Sequence, residues 1–195
     1  MLNKSNMNQP LLPEIIASIK KGRAIGNVGR IVAIDGPAGA GKTTLANRLK
    51  ESINDQSIEI VHMDDLYDGW QNSLTPALGK VLDISICSPV SKGKSFQYRK
   101  YNWIESKFGP LLDFAFPEIL ILEGVGSGQR VVRKYLDELI WIDISAQVGL
   151  QRVLQRDGES IEKEMEIWQM RENYHFVADN TRDSATIRID GATFI

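Results

Sequence analysis

Hydrophobic and polar positions follow one another along the chain in blocks that predict buried strands separated by helices. Short apolar runs rich in β-branched residues are typical of strands buried on both faces of a parallel sheet. Such a run occurs at residues 31–34, and residues 57–63, 118–124, 139–144 and 185–190 read as the further strands. Because helices are predicted between them, the pattern indicates an α/β fold with a five-stranded parallel core, helices on both sides and right-handed crossovers.

Apolar residues at helical spacing predict the helices that separate these strands. The predicted segments are residues 43–50, 73–82, 131–138, 148–156 and 161–177. Residues 88–94 read as a loop. The stretch from 71 to 117 is the least regular part of the chain, so its structure is the hardest to predict.

The N-terminal part carries one further element, a short amphipathic helix over residues 13–21. Pro13 suits the first helical position and Gly22 suits the stop. The polar residues 1–12 predict a loose start. We interpret residues 1–30 as an N-terminal extension and residues 31–195 as the main domain. The helix is expected to pack beside the core, and a role in binding a partner stays open.

A phosphate-binding pattern follows the first apolar strand: Gly, four residues, then Gly-Lys-Thr. The pattern stands between a predicted strand and a predicted helix, which is the context that it requires. The alternative is an ordinary glycine-rich turn before a helix. We expect the following residues to bind the phosphates of a nucleotide: Gly36, Pro37, Ala38, Gly39, Ala40, Gly41, Lys42, Thr43 and Thr44.

The residue types of this loop explain its chemistry. Glycines allow consecutive backbone N–H groups to turn inward as an anion nest, and the helix N-terminus adds positive potential. Lys42 is expected to be accessible to solvent before nucleotide binds and then to reach the β- and γ-phosphates. The Thr43 hydroxyl is expected to bind Mg²⁺. The motif alone does not distinguish a kinase from a GTPase or a motor.

Acidic residues follow two of the other predicted strands. Asp64 and Asp65 come directly after the second strand, and Glu123 ends the third. Ligands of parallel sheets bind beyond the carboxyl ends of the strands, so these carboxylates are candidate catalysts and Mg²⁺ ligands. The alternative is a capped loop with solvated carboxylates. Because side chains alternate along an extended segment, Asp64 is expected to face the phosphate loop and Asp65 to turn away.

An aromatic and basic stretch at residues 96–103 is the remaining candidate for ligand binding. Basic residues interleaved with aromatic ones can bind phosphates and stack bases, but eight residues are too few for a nucleic-acid groove. Two interpretations stay open. The stretch forms either a wall for a small substrate or a packed surface hairpin.

Composition excludes several classes of function. The net charge of −2 gives no basic footprint for nucleic acid, and no apolar run reaches the length of a membrane span. The single cysteine, Cys87, excludes an internal disulfide, and two histidines make a histidine-rich metal site unexpected. The N-terminus lacks the pattern of a signal peptide. We therefore expect a cytoplasmic protein that binds neither nucleic acid nor membrane.

Several segments together resemble the uridine kinase-like family of phosphate-loop kinases, which includes uridine kinase, pantothenate kinase and nicotinamide riboside kinase. The chain looks especially like a poorly characterised bacterial branch whose members carry an Asp-Asp-Leu-Tyr-x-Gly-Trp segment. The resemblance covers most of residues 31–191. It rests on residues 36–43, 63–67, 122–125, 140–143, 152–157 and 179–185.

The resemblance implies a three-layer phosphate-loop kinase fold, with ATP and Mg²⁺ as cofactors, and roles for individual residues. It implies that Asp64 deprotonates or orients the acceptor hydroxyl and that Glu123 lies near Mg²⁺, so that the expected metal site comprises Thr43, Asp64 and Glu123. It implies that Arg152 and Arg156 belong to a lid over the phosphates, and together with Asp64 and Lys42 they form the expected catalytic set. The residues expected to contact the acceptor are Tyr67, Trp70, Tyr101 and Trp103.

The function implied is transfer of the ATP γ-phosphate to a hydroxyl of a small metabolite, a nucleoside or similar compound. Asn102 stands where uridine kinase has Asp, so the resemblance does not specify uridine. One alternative is a nucleoside monophosphate kinase, in which Arg99 and Lys100 would clamp the acceptor phosphate. Another is an ATP-binding module or ATPase without an acceptor. The implied partner is the small-molecule acceptor, and a homodimer is compatible with the sequence.

Overall fold

The computed structural model describes residues 12–21 and 28–194. The predicted loose start lies outside these ranges except for Leu12, and so does the predicted stop at Gly22. The strands in chain order are β1 Arg30–Asp35, β2 Ile58–His62, β3 Phe96–Asn102, β4 Lys107–Phe114, β5 Ile119–Glu123, β6 Glu138–Asp143 and β7 Ile187–Asp190.

The central sheet has five parallel strands in the order β2-β5-β1-β6-β7. The predicted fold class and the predicted strands are therefore confirmed. β1 lies in the middle, so the loop after it opens beside the ends of β5 and β6. The carboxyl ends of β2 and β5 are also neighbours, because His62 pairs in register with Glu123.

Helices cover both faces of the sheet. They are α1 Leu12–Lys21, α2 Lys42–Ser52, α3 Pro76–Lys80, α4 Ser88–Ser91, α5 Ala146–Asp157, α6 Glu162–Asp179, α7 Thr181–Ser184 and α8 Gly191–Phe194. A π-helical segment, Val81–Cys87, joins α3 to α4. None of the helices in the described part of the chain combines the length and the apolar character needed to cross a membrane.

Two separate cores lie on the two faces of the sheet. Ile31 on β1 contributes to one core, together with buried residues of α3, the π-helical segment and α6. Val32 contributes to the other, which includes residues of α2. This double burial explains why the inner strands β1 and β5 are continuously apolar, whereas the edge strand β7 alternates between isoleucine and charged residues. Ile15 and Ile19 of α1 are fully buried in the second core, so the N-terminal helix packs against the sheet.

Two local predictions are wrong. Residues 131–138 form no α-helix; a single 3₁₀ turn, Arg133–Tyr135, precedes β6. Asp137 explains this, because its backbone N–H donates to the Ile31 carbonyl at 2.8 Å and its carboxylate accepts from the Ile31 N–H at 2.8 Å. These bonds fix the segment to β1. The expected loop at residues 88–94 is helical as far as Ser91, because the burial of Ile86, Cys87 and Val90 continues one apolar face.

The aromatic and basic stretch forms the first strand of an antiparallel hairpin, β3–β4. At one end Phe96, Tyr98 and Phe114 stack, with the Tyr98 and Phe114 ring centroids 4.6 Å apart. At the other end Trp103 reaches the candidate site. The hairpin is therefore packed at one end and lines a cavity at the other, which combines the two interpretations of this stretch.

Candidate active site

The phosphate loop joins β1 to α2 and depends on glycine for its shape. A Cβ atom on Gly39, whose φ is +76°, would lie 2.3 Å from the Gly149 carbonyl oxygen of α5. Gly41, with φ of +95°, precedes the first residue of α2 in a left-handed conformation that side chains disfavour. Larger residues here would push the loop away from α5, so close contact between loop and helix requires the glycines.

Lys42 is folded back over the loop, contrary to the expectation that it is accessible. Its Nζ donates to the carbonyl oxygens of Gly36, at 2.8 Å, and Pro37, at 2.7 Å, and the residue is only 8% exposed. These carbonyls satisfy a buried ammonium, which would otherwise carry a large desolvation cost. The lysine must therefore exchange protein carbonyls for phosphate oxygens when it binds an anion.

Asp35 fastens the start of the loop to the turn that follows β5. Its fully buried carboxylate accepts from the backbone N–H groups of Gly36 at 2.8 Å, Gly126 at 3.1 Å and Gly128 at 2.8 Å. Burial raises the pKa of Asp35, while the Gly128 and Gly36 bonds act to lower it. The contacts give Asp35 a structural function, which the sequence pattern did not indicate.

A cavity of about 510 Å³ opens beside the loop, at the carboxyl ends of the strands. It brings together most of the expected site residues from five parts of the chain. Those that line it are Ala38, Gly39, Gly41, Lys42, Thr43, Thr44, Asp64, Tyr67, Trp70, Trp103, Glu123, Arg152 and Arg156. Gly36, Pro37, Ala40 and Tyr101 are not among its lining residues.

The two adjacent aspartates point in different directions, as expected, although they lie in a 3₁₀ turn, Met63–Asp65, and not in the extended segment on which the prediction rested. Asp64 lines the cavity. Asp65 does not; its Oδ2 pairs with the Lys100 Nζ on β3 at 2.9 Å. Although Asp64 is open to the cavity, the surrounding protein raises its pKa, first through burial and next through the charge of Glu123. Lys42 and Arg156 partly offset this effect.

Glu123 links the end of β5 to the first turn of α2. The Thr43 hydroxyl donates to its carboxylate, with distances of 3.1 Å to Oε1 and 3.2 Å to Oε2. His62, at the end of β2, contacts the same carboxylate through Nδ1. This bond raises the pKa of His62, and burial opposes the change. Hydroxyl, carboxylate and imidazole therefore converge at the edge of the cavity.

The two arginines on α5 are held differently. The Arg152 Nη1 donates to the Gly39 carbonyl at 3.3 Å and to the Gly191 carbonyl at 3.1 Å. Arg156 pairs with Asp157 through distances of 2.7 and 2.6 Å, and its charge also acts on Asp64. Arg152 is thus fixed on the loop, whereas Arg156 stands at the exposed end of the helix.

Aromatic side chains form the wall opposite the loop. The Trp70 ring centroid lies 5.4 Å from that of Trp103 and 5.8 Å from that of Trp168, and both pairs meet edge to face. Tyr67 lies 5.3 Å from Trp168, and its hydroxyl donates to the Val125 carbonyl at 2.7 Å. The Trp103 indole N–H donates to the Asp64 carbonyl at 3.1 Å, which ties the wall to the candidate catalytic segment.

Tyr101 supports this wall from behind. Its ring meets those of Trp103 at 5.1 Å and Phe108 at 5.2 Å. Its hydroxyl would lie 3.1 Å from a Cβ atom on Gly69, so it packs closely under the turn before Trp70. We therefore assign Tyr101 a packing position rather than a place in the cavity.

Sequence reasoning missed four residues of α6 that approach the site: Met165, which lines the cavity, and three others. Trp168 lines the cavity, the Arg171 guanidinium donates to the Trp70 carbonyl, and the Glu172 carboxylate accepts from the Ala38 N–H at 3.0 Å. A signal was present in the sequence: Met165, Trp168 and Glu172 share one helical face and are buried. A carboxylate buried on such a face needs a hydrogen-bond donor, and here the phosphate loop supplies it.

Comparisons with known proteins show which family and which solved structures this chain resembles. The sequence model of the phosphoribulokinase/uridine kinase family matches residues 85–190. A uridine kinase of Clostridium novyi is 28% identical over 141 residues, which cover 65% of this chain and 67% of that protein. A uridine kinase of Staphylococcus aureus is 25% identical over 150 residues, which cover 70% and 72%.

Among solved structures, a possible uridine kinase from Bacillus stearothermophilus matches with a TM-score of 0.65. The match covers 92% of this chain and 97% of that one, at 19% identity. At this identity the likeness concerns the fold: the sheet and its helices are arranged as in that protein.

Proposed function

Because the chain belongs to the phosphoribulokinase/uridine kinase family, it is an ATP-dependent kinase of a small metabolite, and we propose that its acceptor is a nucleoside or a similar compound. The acceptor hydroxyl would lie at Asp64 and its ring against the aromatic wall. One observation carries this proposal: a single cavity holds the phosphate loop, the Asp64 carboxylate and the tryptophan wall.

The distribution of charge in the cavity supports the roles proposed for its residues. Phosphoryl transfer proceeds through a loose transition state, so catalysis consists mainly of positioning and charge stabilisation. Lys42, Arg152 and Arg156 line the side toward the loop and would neutralise charge on the phosphates. Asp64 would orient the acceptor hydroxyl and take its proton. Burial and the charge of Glu123 raise its pKa, which makes it a better base than an ordinary aspartate.

The oxygen groups at the edge of the cavity fit Mg²⁺. Thr43 and Glu123 are in contact, and Asp64 lines the same cavity. Within residues 12–21 and 28–194, no cluster of three or more His, Cys, Asp or Glu side chains is arranged to hold a metal ion. Mg²⁺ sites in kinases use one or two protein ligands and complete their coordination with phosphates and water. When bound, the ion would supply charge neutralisation between the phosphates.

The wall favours a planar acceptor over a purely polar one. Base–aromatic stacking contributes about 1–3 kcal/mol per base, and Trp70 and Trp103 remain partly exposed, at 37% and 39%. Exposed aromatic rings beside a catalytic carboxylate offer a surface that a nucleobase or comparable ring could cover. The ribose or a similar polyol would then bring its hydroxyl toward Asp64.

The monophosphate kinase alternative is disfavoured by the positions of its expected clamp. The Arg99 guanidinium donates to the Gly109 carbonyl at 2.9 Å within the hairpin, and Lys100 pairs with Asp65. Neither lines the cavity. The ATPase alternative is disfavoured by the aromatic wall, because hydrolysis without an acceptor needs no such surface.

A turnover assay with a panel of acceptors tests the proposal. ADP release is measured with MgATP alone, with nucleosides and with nucleoside monophosphates. We expect a stimulation of ADP release by at least one nucleoside or related ring-bearing alcohol. Stimulation by monophosphates alone would favour the alternative kinase, and equal release with and without acceptors would favour the ATPase.

Removal of a cavity arginine is expected to slow the chemical step. Arg152→Ala or Arg156→Ala should lower kcat by on the order of 10²-fold, the typical loss for one donor that stabilises charge in the transition state. The Kd for a non-hydrolysable ATP analogue should change far less. Arg48→Ala, on α2 outside the cavity, is the matched control. Full kcat in both cavity variants would show that neither arginine acts on the transferred phosphate.

Truncation of the aromatic wall is expected to weaken acceptor binding. Trp70→Ala should raise the KM for the acceptor roughly tenfold, which corresponds to about 1.4 kcal/mol of lost stacking, and should leave the KM for MgATP nearly unchanged. Ile104→Ala is the control, since Ile104 is 96% exposed and does not line the cavity. An unchanged acceptor KM in Trp70→Ala would contradict the assignment of the wall.

A further inference from the structure

A carboxylate on α6 accepts a hydrogen bond from a backbone N–H group of the phosphate loop. The Glu172 Oε2 accepts from the Ala38 N–H at 3.0 Å, and Glu172 is only 4% exposed. The Trp168 side chain, one helical turn earlier, acts on the same carboxylate and holds its pKa down. Ala38 and Trp168 both line the cavity. Glu172 therefore stands behind the cavity, between the loop that would bind phosphate and the wall that would bind the acceptor.

The loop is thus held by groups of the protein at two points. The Glu172 carboxylate accepts a hydrogen bond from the Ala38 N–H. The Gly36 and Pro37 carbonyls accept hydrogen bonds from the Lys42 ammonium. The Glu172 carboxylate also lies close enough to Lys42 for the two charges to interact. An incoming phosphate would seek the same positive potential, so an ionised Glu172 competes with it.

We propose that Glu172 is a positioning residue which couples nucleotide binding to the uptake of a proton, because its carboxylate shares the phosphate loop with the incoming anion. The inference rests on the proposed function, since it takes the loop to be the nucleotide site. Protonation removes the negative charge that opposes the phosphates and leaves a carbonyl oxygen able to accept from the Ala38 N–H.

The surroundings of Glu172 place its titration in the physiological range. Burial raises its pKa to about 7, while Lys42, the Ala38 bond and the Trp168 side chain oppose this change. Asp35, at the end of β1, adds a like charge, and the charge of Glu172 also acts on the Tyr67 hydroxyl. Near neutral pH the carboxyl is therefore present in both forms.

The direction of the pH effect follows from linkage. An anion bound beside Glu172 favours its protonated form and so raises its pKa further in the complex. Nucleotide then binds with its full affinity below about pH 7 and more weakly as the pH rises above that value. The slope is at most about tenfold in Kd per pH unit, the limit for one proton.

Calorimetry can measure this coupling directly. The Kd and enthalpy of a non-hydrolysable ATP analogue at saturating Mg²⁺ are determined from pH 6 to pH 9, in two buffers of different ionisation enthalpy. Wild-type protein at pH 8 should take up a substantial fraction of a proton. Glu172→Gln keeps the shape and an acceptor oxygen but cannot titrate. Its proton uptake should be lower by that fraction, and it should bind the analogue more tightly than wild type at pH 8.

The comparison of variants removes the contributions of other titrating groups, including His62 and the phosphates of the analogue, which both proteins share. Trp168→Phe provides a second test if Glu172→Gln fails to fold. Trp168 holds the pKa of Glu172 down, so its replacement should raise that pKa and move the pH dependence of Kd to higher pH, an effect that a purely structural role would not produce. Identical proton uptake in wild type and Glu172→Gln, or an unmoved profile in Trp168→Phe, would overturn the inference. Absence of nucleotide binding at every pH in wild-type protein would instead count against the proposed function.

Discussion

Asp64→Asn is expected to lower kcat by on the order of 10²- to 10⁴-fold, the range that a general base contributes. Asparagine keeps the shape of the side chain and much of its hydrogen bonding but removes the base and the charge. Asp64 lines the cavity that also holds Lys42 and Arg156, so no other carboxylate in the same segment is placed to replace it. The Kd for a non-hydrolysable ATP analogue should remain close to that of the wild-type protein, and the measurement is kcat at saturating MgATP and acceptor.

Asp65→Asn is the matched control, since it makes the same chemical change one residue away. Asp65 pairs with Lys100 on the hairpin rather than facing the cavity, and loss of a partly exposed ion pair costs about 1 kcal/mol or less. This variant should stay substantially active. An active Asp64→Asn together with an inactive Asp65→Asn would reverse the assignment, and two active variants would leave Asp64 without a catalytic role.

Lys42→Ala is expected to abolish measurable turnover or to reduce it by on the order of 10²- to 10³-fold, because it removes a positive charge that stabilises the phosphates in the transition state. The structure adds a second consequence. Lys42 also satisfies the Gly36 and Pro37 carbonyls, so the variant loses two bonds that shape the loop. A thermal melt must accompany the kinetic assay, and we expect a folded protein with a modestly lower Tm.

Lys50→Ala serves as the control for Lys42→Ala. Lys50 lies on the same helix, α2, but is exposed and does not line the cavity. It should retain wild-type kcat and Tm. Unchanged turnover in Lys42→Ala, measured in an assay coupled to the acceptor, would contradict the kinase mechanism.

The sheet and the position of the site could be predicted because they depend on short-range patterns. The inner strands β1, β5 and β6 carry continuous apolar runs, and parallel strands place their carboxyl ends at one edge. For that reason Glu123 and the residues that follow β2 could be expected beside the loop before their contacts were known. The different directions of Asp64 and Asp65 arise instead within the 3₁₀ turn Met63–Asp65 that follows β2.

Other features depend on contacts between distant parts of the chain and left weak signals in the sequence. The burial of Lys42 depends on carbonyls that turn inward only in the folded loop. Residues 131–138 have apolar residues at helical spacing, but the hydrogen bonds between Asp137 and Ile31 hold the segment against β1 and prevent an α-helix. Glu172 meets Ala38 across 134 positions of sequence, so no local pattern could name its partner. These are the places where tertiary contacts override local propensity.

The transfer of labelled phosphate tests the central claim most directly. The protein is incubated with ATP labelled in its γ-phosphate and with the acceptor that stimulates ADP release, and the products are separated. We expect label in a phosphomonoester of the acceptor, one product for each ADP formed, and its loss in Asp64→Asn. Label found only in inorganic phosphate, at a rate that the acceptor does not change, would contradict the account.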